Sequence, residues 1–143
     1  MNLGIIGSRK FTNFQFGADR LDSLVKEYGW IVTQVISGAA KGADSIAREW
    51  GKARGIAVVE FLPDWSLGRG AGMARNTTIV DTSDVIVAFW DMISKGTKDS
   101  IKKAEKAGKL VIIVDCAEVI GKDEAKINKA ASRREYLLTL AKK

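Results

Sequence analysis

Apolar positions along the chain fall into five short runs, with glycine, proline or polar residues at or close to their ends. Mostly apolar runs of four or five residues between turn signals indicate strands buried in a core. The five runs are Leu3 to Ile6, Val32 to Ile36, Ala57 to Phe61, Val85 to Phe89 and Leu110 to Val114.

Between these runs, apolar residues recur at helical spacing. In the first such stretch, Leu21, Leu24 and Val25 fall on one side of a helix. The same spacing predicts a helix after each of the other strands, including a last amphipathic helix after the fifth. The approximate bounds are Ala18 to Tyr28, Asp44 to Arg54, Met73 to Val80, Lys98 to Ala107 and Lys122 to Leu140.

Strands that alternate with helices predict an α/β fold, because parallel neighbours need a crossover to return to the same end of the sheet. We therefore expect a single doubly wound, Rossmann-like domain over residues 1–143, with a five-stranded, mainly parallel sheet. Its core is expected to span about 1–115, and a C-terminal helical extension about 120–142.

Composition narrows the chemistry open to this domain. The 143 residues include no His and a single Cys, Cys116. A disulfide within the chain, Ser/His or Cys/His nucleophiles and the Cys and His spacing of a zinc site are thereby excluded. We expect no metal and no cofactor, so acid or base chemistry would come from carboxylates, Lys or Tyr.

Charge and the first residues bear on partners and location. The formal net charge of +6 favours an anionic partner, although lysines also serve solubility. The first apolar run stops at Gly7, too short for a signal peptide or a membrane span. We expect a cytoplasmic protein without a membrane partner, and the sequence leaves a homo-oligomer open.

Four of the predicted strands end in loops that combine small residues with cations or hydroxyls. In open parallel sheets, ligands bind outside the carboxyl ends of the strands, where helix N-termini present free N–H groups. We therefore predict one ligand-binding rim. Its candidate residues are Gly7, Ser8 and Arg9 after the first strand; Ser37, Gly38, Ala39, Lys41, Gly42 and Asp44 after the second; Trp65, Arg75 and Asn76 after the third; and Asp91, Ser94, Lys95, Gly96 and Thr97 after the fourth.

Two familiar phosphate motifs do not account for these loops. The segment from Gly38 to Ala43 lacks the Gly-Lys-Ser/Thr ending of a P-loop. The segment from Gly70 to Gly72 lacks the third glycine of a dinucleotide fingerprint and does not directly follow a strand.

Several candidates have a structural alternative. Asp44 is as well placed to cap the second helix as to contact a ribose. Arg75 is expected either to contact a phosphate or to bridge to Asp44 or Asp91. Trp65 is the better candidate for stacking on a base, since Trp90 directly follows a buried strand.

Taken together, the loops resemble the SLOG superfamily, in particular its small YspA-like members. The resemblance extends from Leu3 to about Asp115, and its segments are GSRKF at Gly7, SGAAKGAD at Ser37, DW at Asp64, AGMARN at Ala71 and SKGT at Ser94. It implies a Rossmann-like domain whose relatives recognise phosphate and ribose, among them sensors of ADP-ribose or cyclic derivatives in antiphage systems. DprA-type DNA-processing proteins, which bind single-stranded DNA, are similar at greater distance.

The resemblance also bears on catalysis. Related phosphoribohydrolases carry a catalytic Glu where this chain has Ser100. Asp99 lies about 100° around a helix from that position and is a poor substitute. We therefore expect a binder of a small nucleotide derivative, acting as a sensor or sequestering protein in phage–bacterium conflict. An N-glycosidic hydrolase and a DprA-like binder of single-stranded DNA are the alternatives.

Overall fold

The computed structural model describes residues 1–120 and 135–138. In this part of the chain, five strands alternate with four α-helices, and a sixth strand follows the fifth. The strands are β1 (Asn2–Gly7), β2 (Gln34–Gly38), β3 (Ala57–Phe61), β4 (Val85–Trp90), β5 (Leu110–Asp115) and β6 (Glu135–Leu138). The helices are α1 (Phe14–Tyr28), α2 (Ala43–Ala53), α3 (Ala71–Thr82) and α4 (Lys95–Lys106), with a 3₁₀ helix at Trp65–Gly70.

All strands form one sheet in the order β3-β2-β1-β4-β5-β6. Strands β1 to β5 are parallel throughout. The predicted Rossmann-like fold with a five-stranded parallel sheet is thereby confirmed. The order reverses between β1 and β4, and such a switch point is where open α/β sheets leave a crevice for a ligand.

Successive side chains along a strand point to opposite faces of the sheet, so the apolar side chains form two hydrophobic cores, one on each face. On one face, Leu3 and Ile5 pack with buried residues of α1 and α2. On the other face, Ile6 packs with α3 and α4 through Ile79 and Ile101. Helices therefore cover both faces of the sheet. The ends of the strands are not covered in this way.

The chain from Glu135 to Leu138 corrects one expectation. These four residues lie within the predicted C-terminal helix, but they form β6, which pairs antiparallel with β5. A strand here gives β5 a hydrogen-bonding neighbour on the side away from β4, and unpaired edges are unfavourable. The rest of the predicted C-terminal helix lies outside the described residues. Among the described helices, none is long and apolar enough to cross a membrane.

Candidate functional site

A cleft of about 470 Å³ opens at the carboxyl ends of β1 and β4, at the switch point of the sheet. Its floor is apolar, formed by Ile6 of β1 and Ile79 of α3. Polar and charged side chains surround this floor. They include Ser8, Arg9, Asp44, Arg75, Asn76, Asp91, Ser94, Thr97 and Ser100.

Asp91 ties the loop after β4 to the loop after β1. One carboxylate oxygen accepts hydrogen bonds from the backbone N–H groups of Ile93 (3.0 Å) and Ser94 (2.7 Å). The other accepts from the hydroxyls of Ser8 (3.0 Å) and Ser94 (2.6 Å). Burial raises the pKa of Asp91, but these hydrogen bonds outweigh it, so the pKa lies below its ordinary value. The carboxylate is therefore ionised at neutral pH and fixes both loops.

This arrangement changes the role expected of Ser8 and Ser94. The sequence predicts that both contact a ligand, through hydroxyl or backbone hydrogen bonds. Each hydroxyl has one proton, and in the structure each donates it to Asp91. The two serines line the cleft and shape it, while their donor capacity is already used.

The N-terminus of α4 supplies donors that remain available. Ser94 is the N-cap residue, yet its side chain makes no capping hydrogen bond, so the first N–H groups of the helix are open. Thr97 and Ser100 also line the cleft, at 6% and 2% exposure. Within the described residues, neither hydroxyl has a hydrogen-bond partner. Two unpaired hydroxyls and a helix N-terminus thus face one cavity.

Arg75 reaches the cleft from α3. Its guanidinium donates to the Phe61 carbonyl (3.1 Å) and to the Asn76 side-chain oxygen (3.1 Å). A Cβ atom at Gly38 would collide with this guanidinium and would lie 2.8 Å from a carboxylate oxygen of Asp44. The missing side chain at Gly38 therefore makes room for Arg75, while Gly38 itself lines neither this cleft nor the second one described below.

Asp44 is the buried carboxyl of the cleft, at 8% exposure. Burial raises its pKa above the ordinary value, although a hydrogen bond from the Ala40 N–H (3.1 Å) and the charge of Arg75 act against this. Burial likewise lowers the pKa of Arg75, Asp44 raises it and nearby Arg9 lowers it. A guanidinium still keeps its proton at neutral pH.

The N-terminus of α2 lies in close contact with the loop that follows β1. Gly42 has φ of 73°, and a Cβ atom there would collide with the backbone of Ser8 and Arg9. The next residue, Ala43, donates its N–H to the Ser8 carbonyl (3.1 Å). The absence of a side chain at Gly42 thus allows the first two loops to approach closely, although Gly42 lines neither cleft.

A second cleft, of about 380 Å³, lies beside the first. Arg9, Ala40 and Arg75 line both. The outer part of the second cleft is formed by Ala39, Lys41, Leu62, Pro63 and Trp65. The carboxyl ends of β2 and β3 therefore extend the site beyond the switch point.

The structure brings most of the predicted rim together. Ten candidates line the first cleft, namely Gly7, Ser8, Arg9, Asp44, Arg75, Asn76, Asp91, Ser94, Gly96 and Thr97. Ala39, Lys41 and Trp65 line the second cleft. Ser37, Gly38, Gly42, Lys95 and Asp99 line neither. The Ser37 hydroxyl is buried and donates to the Gly38 carbonyl (3.1 Å), whereas Lys95 is exposed.

Asp99 lines neither cleft and contacts α3 through Asn76. It forms an ion pair with Lys103 (2.8 Å) and accepts a long hydrogen bond from Asn76 (3.4 Å). Ser100, at the position of the hydrolase Glu, is the residue that faces the cavity. The resemblance to the phosphoribohydrolases implies that the residue at this position faces the ligand, and Ser100 does face the cleft. It carries a hydroxyl where the hydrolases carry a carboxyl.

Sequence reasoning missed the apolar residues at the rim. Ile93 lines the first cleft and Leu62 the second, and they are 79% and 74% exposed. Lys10 and Ala40 were also missed. Both residues lie in loops that follow predicted strands, and an apolar residue in such a loop is a usable signal for these positions.

Together these features define a class of protein, a Rossmann-like domain with a polar, cation-lined cleft at the switch point of its sheet. Residues 3–68 match the YAcAr family, described as the YspA, cpYpsA-related SLOG family. The chain is 38% identical over 92 residues to the Gene 61 protein of Mycobacterium phage D29, covering 59% of this chain and 71% of that protein. The chain belongs to this SLOG family.

A solved structure shares the fold. It is that of the molybdenum cofactor binding protein from the phototrophic bacterium Rippkaea orientalis, with a TM-score of 0.61. The match covers 93% of this chain and 85% of the other, at 22% identity. Similarity at this level concerns the path of the backbone.

Proposed function

We propose that the first cleft binds a small nucleotide or nucleotide derivative through its phosphate, and that the protein acts as a sensor or sequestering protein. The observation that carries the proposal is the N-terminus of α4. Its open N–H groups and the unpaired hydroxyls of Thr97 and Ser100 face the same cavity as Arg9 and Arg75. Phosphate oxygens accept hydrogen bonds from all of these groups.

The other walls suit the organic part of a nucleotide. Asn76 and Asp44 offer polar atoms for ribose hydroxyls, and Ile93 offers an apolar surface for a base. Membership of the SLOG family supports the same ligand class. The phage origin of the similar protein supports a role in phage–bacterium conflict.

Calorimetry with AMP and with ribose 5-phosphate tests this proposal. Thr97→Val removes one hydroxyl at nearly constant volume and should weaken binding of both compounds by about 0.5–1.5 kcal/mol, the usual range for a neutral hydrogen bond. Thr78→Val is the matched control, because Thr78 is exposed and its hydroxyl donates to Ala74 in α3. Failure of AMP and ribose 5-phosphate to bind at millimolar concentration would refute the proposal.

A hydrolase is the second candidate, and Asp44 is the observation that favours it. A buried carboxyl with a raised pKa is a suitable proton donor to a leaving base in N-glycosidic hydrolysis. If the protein is a hydrolase, incubation with AMP releases free adenine that chromatography detects, and Asp44→Asn abolishes the release. Absence of adenine from a reaction with the wild-type protein would remove this candidate.

A further inference from the structure

Strand β3 (Ala57–Phe61) is the outermost strand on one side of the sheet, and β2 is its only strand neighbour in the part of the chain that the structure describes. Apart from this pairing, its backbone makes one hydrogen bond among the described residues, from the Arg75 guanidinium to the Phe61 carbonyl (3.1 Å). The outer edge of β3 thus presents unpaired N–H and C=O groups. Such a row of groups can pair with a strand of another chain.

The usual protections of an edge strand are missing from β3. Proteins blunt such edges with lysine, proline or a β-bulge. The strand reads AVVEF and pairs with β2 at five consecutive positions, so it contains neither lysine nor proline and no bulge interrupts it. Its one charged residue, Glu60, forms an ion pair with Arg48 of α2 in the same chain (3.4 Å). The edge is therefore regular and apolar enough to accept a further strand.

Apolar side chains of β3 remain half-buried on both faces of the sheet. Four of the five residues of β2 are buried, whereas none of the five residues of β3 is. Val58 packs against the core formed with α1 and α2, and Val59 and Phe61 pack against the core on the other face. Another strand beside β3 would bury more of these three side chains, and burial of apolar surface stabilises association.

The sequence of β3 is complementary to a second copy of itself. In an antiparallel pairing about a two-fold axis at Val59, this residue faces Val59 of the second copy. Ala57 then faces Phe61, a small residue opposite a large one. Val58 faces Glu60, so the two Glu60 carboxylates do not meet, and like charges directly opposite each other would be unfavourable.

Charges beside the strand are also complementary in this register. The C-terminal turn of α2 lies over Val58, because a Cβ atom at Gly51 would be 2.7 Å from the Val58 side chain. This turn carries the exposed Lys52. Glu60 of the second copy, opposite Val58, is therefore brought to the side of the strand that carries this cation. The two-fold axis repeats the contact.

A two-fold pairing of β3 closes on itself. Pairing of β3 with β6 of another copy, the strand at the other end of the described sheet, would instead be head-to-tail and would extend the sheet without limit. In the two-fold register the contact continues past the strand, where Leu62, at 74% exposure, faces Ile56 of the second copy. A contact of this length is small beside the roughly 1,600 Å² of a standard interface, so the dimer should dissociate reversibly.

We infer that the protein forms a homodimer through β3, with the two strands antiparallel about a two-fold axis at Val59. The two sheets then join into one continuous sheet. Leu62 also lines the second cleft, so the interface reaches the border of that cleft. The inference does not depend on which ligand the clefts bind.

Sedimentation velocity and disulfide crosslinking test the dimer and its register. The wild-type protein should change from monomer to dimer as its concentration rises. Val59→Cys should crosslink under oxidising conditions, because residues that face each other in an antiparallel pair have Cα atoms about 4.5–5.5 Å apart, within the range of a disulfide. The wild type, whose single Cys116 is buried, gives the background.

Val58→Cys is the matched control for crosslinking. Val58 is half-buried like Val59 and lies on the same strand. In the two-fold register, however, it is offset from Val58 of the second copy, at the diagonal separation of about 7–8 Å. Val58→Cys should therefore crosslink far less than Val59→Cys.

Charged variants test the same axis by a different route. Val59→Lys and Val59→Glu should each abolish the dimer, because like charges would face each other across the axis. A mixture of the two variants should form the dimer again, since opposite charges then meet. Thr78→Lys, an exposed change of equal charge on α3, should leave the dimer intact.

Three results would overturn the inference. A wild-type protein that stays monomeric at every concentration would exclude the dimer. A folded Val59→Lys protein that dimerises as the wild type does would place the interface away from β3. Equal crosslinking of Val58→Cys and Val59→Cys would contradict the register. If circular dichroism shows that the charged variants do not fold, the comparison of the two cysteine variants decides.

Discussion

Asp44 shows how one residue acquires its chemistry from its surroundings. In the sequence it is an acidic residue at a helix start, where ionisation is favourable. In the structure its carboxyl is buried, and burial raises its pKa despite the nearby charge of Arg75. The folded protein therefore favours the neutral form of this carboxyl more than the unfolded chain does.

That preference makes stability depend on pH in a defined direction. A pKa raised in the folded state contributes stability below the unfolded value of about 4, and this is lost as pH rises through the folded pKa. Asp44→Asn keeps an oxygen for the Ala40 N–H and removes the charge. It should raise the free energy of unfolding at pH 7, with the gain shrinking as pH falls through the raised folded pKa and absent below about 4.

Urea unfolding of the variant across this pH range measures the effect. Asp81→Asn, an exposed change of the same charge, corrects for the altered net charge of the molecule. If the two variants changed the free energy of unfolding at pH 7 by the same amount, burial of the Asp44 carboxylate would not destabilise the folded protein.

Arg75 is the residue with the clearest expected effect on affinity. Arg75→Lys keeps the charge but loses the planar fork and should weaken AMP binding. Arg75→Ala should weaken it more, by about 1.5–3 kcal/mol if a charged hydrogen bond is lost. Arg69→Ala is the control, since Arg69 is exposed and lines neither cleft.

Stability of the Arg75 variants is measured separately, because Arg75 also donates to the Phe61 carbonyl. Loss of thermal stability without ligand reports that structural contact. A folded Arg75→Ala protein with wild-type affinity in calorimetry would rule out a phosphate contact.

At the scale of elements, the start of α2 decides how the first two loops meet. Gly42 combines a positive φ with a close approach to the backbone of Ser8 and Arg9. Gly42→Ala should therefore lower the free energy of unfolding by about 1–3 kcal/mol from backbone strain, plus the cost of the collision.

Gly55→Ala is a matched control, because Gly55 has φ of 68° and a Cβ atom there would meet open space, with none of the described residues beyond its chain neighbours within 4 Å. Denaturant unfolding should show a smaller loss for Gly55→Ala, and only Gly42→Ala should also weaken AMP binding. Equal effects of the two substitutions on stability and binding would show that contact with the first loop is unimportant.

For the whole molecule, the net charge of +6 and the cations of the two clefts give a general attraction for polyanions. Short single-stranded oligonucleotides should bind weakly, with affinity falling steeply between about 50 and about 200 mM salt as counterions are released. Fluorescence anisotropy measures this dependence. Tight binding that survives physiological salt would favour the DprA-like alternative instead.

Periodicity along the chain was sufficient to predict the five parallel strands and the end of the sheet at which the two clefts lie. Alternation of apolar runs with helical spacing is local, and parallel strands leave few ways to connect. The same reasoning placed Arg9, Asp44 and Arg75 at one rim, because each lies in a loop or helix that follows one of the parallel strands. Strand β6 was missed, because the stretch that contains it has helical spacing and pairing with β5 is a long-range contact.

The sequence by itself was sufficient to predict the Rossmann-like arrangement of β1 to β5, the end of the sheet at which the candidate clefts lie, and the family. Only the tertiary structure decided which groups remain available there. Asp91 accepts hydrogen bonds from the hydroxyls of Ser8 and Ser94, which lie 83 and 3 positions away along the chain, whereas the Thr97 hydroxyl has no acceptor among the described residues. The physical reason is that a strand or helix follows from local spacing, whereas the direction of a hydroxyl proton depends on acceptors that folding brings within about 3 Å.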